Sequence, residues 1–398
     1  LVGWSGLEKH YESFLRGKRG TYFYEVDASG REVGSAVELN DTRPSPGGNI
    51  QTTIDLESPT YFIADIAANH DGDLERAKDL IYLSAEAGAD AAKFQHFKAE
   101  TIVSDKGFKS LGKQESHQAS WKKSVYEVYD DASLNMDWTP ILKETCDKAG
   151  ISFFTSPYDL DIVDQVDKYL QAYKIGSGDI TWIEIIEHIA KKNKPVIIAS
   201  GASSFVDVER AVEKVLSINS QLALLQCNTN YTGSIENFKY INLNVLKTFK
   251  KSFPSIILGL SDHTPGHSTV LGAVSLGAKI IEKHFTDNNN LNGPDHSFSM
   301  DPKSWREMVE RTRELELSLG NGVKEIELNE LKTSVLQRRS IRIKRDIKQG
   351  EIIKKDDLIM LRPCPEDSIA PFEVEKIIGL KLKSDLDSGT AIKWKDLK

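Results

Sequence analysis

Eight short apolar runs recur between residues 61 and 284, each followed by a stretch with helical spacing. The runs are 61–66, 91–95, 151–156, 172–177, 195–200, 222–227, 256–261 and 278–284. Each is about strand length and apolar along most of it, as a strand buried on both faces of a parallel sheet must be. Between the first two, Leu74, Ala77, Leu80, Ile81 and Ala85 fall on one helical face. Asp71 or Asp73 stands ready to cap that helix, predicted over 73–87. Eight strand–helix units within roughly 225 residues match the size of a (β/α)8 barrel, and the fold class expected is α/β. The competitor, an open doubly wound sheet binding a dinucleotide, would need a glycine-rich turn after its first strand. None follows residue 66.

The residues that end the runs are polar: Asp65, Asn69 and His70; Lys93 and Gln95; Ser156; Lys174 and Ser177; Ser200; Asn228 and Tyr231; Ser261, Asp262 and His263; Glu282, Lys283 and His284. In a parallel barrel these ends converge on one mouth, where catalysis takes place. One polar residue after a strand only marks where the strand stops. Eight in succession predict a catalytic rim.

A helix is predicted over 304–319, and a polar linker follows. From about residue 334 the chain carries an internal echo. Asp346-Ile347-Lys348-Gln349-Gly350 returns as Asp385-Leu386-Asp387-Ser388-Gly389, and Asp357-Leu358 as Asp396-Leu397. Such a repeat predicts a compact, strand-rich module with pseudo-symmetry, too small for a large core. The expected domains are an N-terminal extension, 1–56; the barrel, 57–320; a linker, 321–333; and the small module, 334–398. The extension has strand-like and Gly/Pro-rich pieces. Through Gly6-Leu7-Glu8 and Thr53-Ile54-Asp55 it resembles a fragment of class B penicillin-binding proteins. The serine, lysine and Lys-Thr-Gly motifs of a transpeptidase do not follow it.

Composition excludes some functions. A formal net charge of −8 leaves no basic stripe for a phosphate backbone, so no nucleic-acid partner is expected. No apolar run is long enough for a membrane span, and residues 1–56 do not read as a cleavable signal. Cys146, Cys227 and Cys364 lack disulfide-like or metal-like spacing, which fits a reducing cytoplasm.

His263 and His284 close the seventh and eighth runs, so both should face the mouth from adjacent strands. Two such imidazoles can share a divalent ion and leave positions for substrate oxygen and water. A lone histidine at a strand end more often caps a loop. Here the pair sits in Ser261-Asp262-His263-Thr264 and Glu282-Lys283-His284-Phe285-Thr286, followed by Gly293-Pro294-Asp295-His296. With Asn69-His70-Asp71-Gly72-Asp73, Lys93-Phe94-Gln95 and Tyr173-Lys174-Ile175-Gly176-Ser177-Gly178-Asp179, these motifs resemble the sialic acid synthase family from about Tyr61 to Lys398. The C-terminal unit resembles that family's antifreeze-like (SAF) module.

The resemblance implies condensation of phosphoenolpyruvate with an N-acylated hexosamine, N-acetylmannosamine by default, on a barrel holding Mn2+ or Mg2+ at His263 and His284. Lys93, Gln95, Ser156, Lys174, Ser177, Ser200 and Ser261 match positions that hold phosphoenolpyruvate. Asp65, Thr229, Tyr231 and Arg362 match the sugar side, and Arg362 would come from a domain-swapped homodimer. The resemblance implies catalytic roles for Asp65, Lys93 and Asp295, with Asp295 matching the residue that orients a water. The chain departs from the family pattern at Asp65 for glutamate, Ser156 for threonine, which keeps the hydroxyl, Gln226 for histidine, and Asn228-Thr229 after Cys227. Asp65 draws its carboxylate back by roughly 1.5 Å. On the sequence, these departures fall on the sugar side and admit a 6-deoxy diacetamido hexose, leading to a legionaminic- or pseudaminic-type acid. A barrel metal hydrolase is the reading of another class. It would want a His-x-His pair or bridging carboxylate on the first strand, and neither is present.

Overall fold

The computed structural model describes residues 58–112, 118 and 121–398, with the backbone of 22–23 and 37–38. That backbone forms a short antiparallel pair, Tyr22–Phe23 with Val37–Glu38. The rest of the N-terminal extension lies outside the described residues. The chain divides into two compact units, Leu1–Leu319 and Gly320–Lys398.

In the first unit all eight predicted runs are strands: β1 Tyr61–Asp65, β2 Ala91–His96, β3 Ser152–Pro157, β4 Tyr173–Ile175, β5 Val196–Ala199, β6 Leu222–Cys227, β7 Ile257–Asp262 and β8 Ile280–His284. They pair in parallel in the order β3-β2-β1-β8-β7-β6-β5-β4. The end strands β3 and β4 pack against each other, so the sheet curls into a barrel. Eight helices follow the strands in turn: α1 Leu74–Glu86, α2 Thr139–Ala149, α3 Leu160–Val166, α4 Ile183–Ala190, α5 Phe205–Leu216, α6 Val245–Ser252, α7 Ser268–Ser275 and α8 Pro302–Leu319. Asp73, not Asp71, caps α1 by accepting from the amides of Glu75 and Arg76. On that helix Ser84 is buried where Ala85 was expected; its hydroxyl bonds back to the Ile81 carbonyl, which satisfies it in the core.

Strand alternation sorts the side chains into two layers. Phe62, Ala64, Ala92, Phe94 and Phe153 point outward and bury the helices' apolar faces. Tyr61, Ile63, Ala91, Phe154, Ala172, Ile197, Leu225 and Ile280 fill the barrel interior. That interior is crowded. A Cβ on Gly259 would lie 2.4 Å from the Ile280 carbonyl oxygen and 2.3 Å from Leu225 Cδ2. Only glycine fits there.

The second unit explains the sequence echo. Ile347 and Leu386, 39 positions apart, exchange both backbone hydrogen bonds at 3.0 Å. Each half repeats the other's contacts: Ile343 N donates to Thr390 O as Leu382 N does to Glu351 O, and Gly389 N to Ile343 O as Gly350 N to Leu382 O. Gly350 and Gly389 take φ of 82° and 85°, the left-handed turn that favours glycine. β9 Ser340–Ile343 pairs with β10 Leu358–Leu361 over a core of Ile341, Ile347, Ile377 and Ile392. The segment expected as a linker, 321–333, runs into a helix, Leu331–Gln337, that crosses the expected module start. Leu331, Val335 and Leu336 recur there at helical spacing within a mostly polar stretch.

Candidate active site

The inward register of each strand turns from apolar to polar as it nears the C-terminal end. Tyr61 and Ile63 lead to Asp65; Ala91 to Lys93 and Gln95; Phe154 to Ser156; Ala172 to Lys174; Ile280 to Glu282 and His284. The same period of two that fills the core therefore delivers these groups to one mouth.

At the centre Lys93 Nζ lies 2.6 Å from Asp65 Oδ2 and 3.5 Å from Glu282 Oε2. Lys174 Nζ sits 3.4 Å from Glu282 Oε1, which also accepts from the Ser261 hydroxyl at 2.9 Å. All four charged groups are buried. Burial alone would push Lys93 down, yet Asp65 and Glu282 outweigh it and its pKa rises. For Lys174 burial dominates and the pKa falls. Burial opposes ionisation of Glu282, but Lys174 and Lys93 hold it down at about 2. Burial raises Asp65, Lys93 pulls it back, Glu282 pushes it up, and the net direction is up. The sequence reading placed Glu282 on the rim but assigned it no catalytic or binding role. Its signal was available, since it shares the inward register of His284 two residues on.

His263 and His284 come together as expected, their ring centroids 5.3 Å apart. Burial lowers His263 to about 4, with help from His284, and lowers His284 to about 3, with help from Lys93. Both are neutral at pH 7, the form that ligates metal. His263 Nδ1 donates to the Asn228 carbonyl at 2.9 Å, so Nε2 keeps its lone pair. His284 Nδ1 is buried without a hydrogen-bond partner. The free Nε2 of His263 and the unpartnered Nδ1 of His284 are nitrogen donors of the kind that would suit a divalent ion. Among the described residues no cluster of three or more His, Cys, Asp or Glu has metal-holding geometry. Tyr231 packs edge-on against His263, centroids 4.3 Å apart, and Phe298 packs against His284 at 4.9 Å. Asp295 Oδ2 accepts from the Ala68 amide at 3.1 Å and lies 4.0 Å from His284 Nδ1; burial raises it to about 7.

The remaining site residues are placed less simply. The Ser156 hydroxyl is buried without a partner. Ser177 Oγ accepts from the Gly201 amide at 3.0 Å. Ser200 donates to Leu225 O and to Gln226 Oε1, at 3.0 and 3.3 Å. Thr229 turns its methyl toward Gly201, whose Cβ would meet it at 2.5 Å and Ser177 Oγ at 2.8 Å. Asp65 spends its carboxylate on Lys93, Gln95 Nε2 at 3.2 Å and the Ala67 amide at 3.1 Å. Of the departures expected on the sugar side, Asp65 contacts Lys93 and Gln226 contacts Ser200, both matched to phosphoenolpyruvate, while Thr229 lies beside Gly201, whose amide bonds Ser177. Arg362 lies in the second unit, exposed, with Nε donating to Gln337 O at 2.7 Å.

A (β/α)8 barrel with paired lysines, hydroxyls and two neutral imidazoles at its mouth defines a class: a phosphoenolpyruvate-dependent, carbon–carbon bond-forming transferase of the sialic acid synthase type. Comparison with known proteins agrees. N,N'-diacetyllegionaminic acid synthase of Legionella pneumophila is 37% identical over 92% of this chain and 99% of its own length. The protein of that name from Campylobacter jejuni is 33% identical over 80% of this chain and 95% of its own. The crystal structure of N-acetylneuraminic acid synthetase from Leptospira borgpetersenii, in complex with citrate, superposes with a TM-score of 0.60 at 30% identity, over 69% of this chain and 90% of that one. The chain belongs to the NeuB family, which it matches over residues 80–324. Residues 338–398 match the SAF domain, and residues 1–52 the penicillin-binding protein dimerisation domain. No described helix is long and apolar enough to cross a membrane.

Proposed function

We propose that the mouth joins carbon 3 of phosphoenolpyruvate to the aldehyde carbon of an open-chain N-acylated hexosamine, giving a nine-carbon sugar acid and inorganic phosphate. The observation that carries this reading is two buried lysines converging on one carboxylate beneath two neutral imidazoles. Lys93, Lys174, Gln95 and the hydroxyls of Ser156, Ser177, Ser200 and Ser261 bind the phosphate and carboxylate. His263 and His284 hold the divalent ion, Mn2+ or Mg2+, which when bound polarises the acceptor aldehyde as a Lewis acid. Attack by carbon 3 leaves a cation at carbon 2, shared with its oxygen. Water oriented by Asp295 adds there, and cleavage of the carbon 2–oxygen bond releases phosphate. Tyr231 walls the imidazoles, and Thr229 and Asp65 border the acceptor. The SAF unit docks on a second copy in a domain-swapped dimer, where Arg362 meets the acceptor's N-acyl group. A cytoplasmic biosynthetic enzyme is the setting this chemistry fits.

On the family resemblance alone the acceptor is N-acetylmannosamine. A 6-deoxy diacetamido hexose is the second reading, favoured by 37% identity to a protein named for N,N'-diacetyllegionaminic acid. Phosphate release from phosphoenolpyruvate, measured with each sugar and with Mn2+ or a chelator, tests both. Release that requires one sugar and stops with chelator supports the reaction and names the acceptor. Phosphoenolpyruvate that neither binds nor turns over with any N-acylated hexosamine refutes it.

A further inference from the structure

Directly behind the mouth, on the outer face of β7 and β8, lies a buried ion pair that the proposed chemistry does not use. Asp262 and Lys283 are register partners on the two strands, and their side chains form an ion pair at most 1% exposed. Asp262 also accepts from Thr264 Oγ1 at 2.8 Å and from Thr269 Oγ1, in the first turn of α7, at 2.8 Å. Lys283 Nζ makes a second bond, to the Thr264 carbonyl at 2.6 Å. The ammonium therefore grips the residues on either side of His263, and Lys283 itself immediately precedes His284.

His263 needs such a grip. β7 ends at Asp262, so His263 stands one residue past the ladder and no strand pairing fixes its backbone. A buried ion pair is a poor device for stability alone, because desolvating two charges consumes most of what their attraction returns. An apolar pair would fill the same space at less cost. What an apolar pair could not do is hold the Thr264 carbonyl and the Asp262 carboxylate to one atom on the neighbouring strand. We propose that Asp262 and Lys283 are positioning residues for the metal: the clamp sets the separation and orientation of the His263 and His284 imidazoles. The inference rests on the reading of these two histidines as metal ligands. Groups that orient ligands in this way alter metal affinity by about 10–100-fold when removed.

The test is Mn2+ binding to the full chain without substrate, read by the electron paramagnetic resonance signal of free Mn2+, for wild type, Lys283→Met and the Asp262→Asn/Lys283→Met double variant. The single variant strands a buried carboxylate and can fail to fold. The double variant carries neither charge, and its fold is checked by thermal melting. We expect it to melt near wild type yet bind Mn2+ at least about 10-fold more weakly. Wild-type affinity in the folded double variant would overturn the clamp and leave the pair a packing element. A wild-type protein that binds no Mn2+, while His263→Gln/His284→Gln behaves identically, would instead refute the metal reading and the clamp with it.

Discussion

Lys93 and Asp65 should be coupled, and a double-mutant cycle measures how strongly. Their side chains are 3% exposed and 2.6 Å apart. Lys93→Met leaves the Asp65 and Glu282 carboxylates facing each other, with only Lys174 at 3.4 Å from Glu282. Removing one partner of a buried pair costs about 3–5 kcal/mol. Asp65→Asn is milder, about 1–3 kcal/mol, because Lys93 keeps Glu282 at 3.5 Å. The double variant strands no charge at this pair, so the cycle should return a coupling of about 2 kcal/mol. Urea unfolding of the substrate-free protein, followed through the barrel's transition, supplies the four free energies. Raising salt from about 0.1 to about 1 M, which cuts the screening length from about 10 to about 3 Å, should barely change the coupling of so buried a pair. Additivity within about 0.5 kcal/mol would refute the reasoning. It would mean that Lys93 is solvated at the mouth and not held in place for substrate.

Gly259→Ala should destabilise the barrel by about 3 kcal/mol, since the new methyl meets a backbone carbonyl at 2.4 Å; a melting temperature equal to wild type would contradict the close packing. His96 is held between Thr155 at 2.6 Å and Thr139 at 2.8 Å, and burial lowers its pKa from 6.5 to about 3. The folded value lies below the unfolded one, so the contribution is whole above pH 6.5 and drains as pH falls toward 3. By pH 5 the loss amounts to about 2 kcal/mol, and His96→Gln should flatten the pH dependence of urea unfolding by that amount. Phosphoenolpyruvate and Mn2+ should each raise the other's affinity by one common factor, read by calorimetry in both orders of addition; independent binding would count against a shared mouth.

Much of the barrel is legible in the sequence because a parallel strand buried on both faces must be apolar along its length. All eight runs became strands, their ends shifted by a residue or two where polar rim residues blur the boundary. Burial of Ser84 was not legible, since a hydroxyl bonded to its own helix carries no mark in composition. The site divides along the same line. Asp65, Lys93, Lys174, His263 and His284 were marked as rim residues because each lies at or near the end of an apolar run, and the structure brings them together at the mouth. Glu282 was marked as a rim residue but given no role of its own, although strand alternation puts it on the inward face with His284. The Asp262–Lys283 pair was noticed only as rim residues, because pairing across strands depends on register. Gln226 shows the same gap: its bond to Ser200 joins the ends of two neighbouring strands, which spacing along one strand does not encode.

The cluster of Lys93, Lys174, Asp65 and Glu282 pairs two cationic side chains with two acidic ones before any substrate enters. On the proposed reading phosphoenolpyruvate brings a phosphate and a carboxylate into this buried space, and an uncompensated anion there is costly. The lysines cannot serve the substrate without releasing Glu282. Ser261 donates to Glu282 Oε1 at 2.9 Å and has one proton to give, so on the proposed reading it too turns from Glu282 to the substrate. The remaining negative charge calls for a cation or a proton, and both have a place: the two imidazoles for a cation, and Asp295, raised to about 7, for a proton near neutral pH. The lysines are thus stored against their own carboxylates, which keeps them ordered in the free protein. The free energy of parting them is drawn from substrate binding, so a ligand lacking either the phosphate or the carboxylate cannot open the cluster fully.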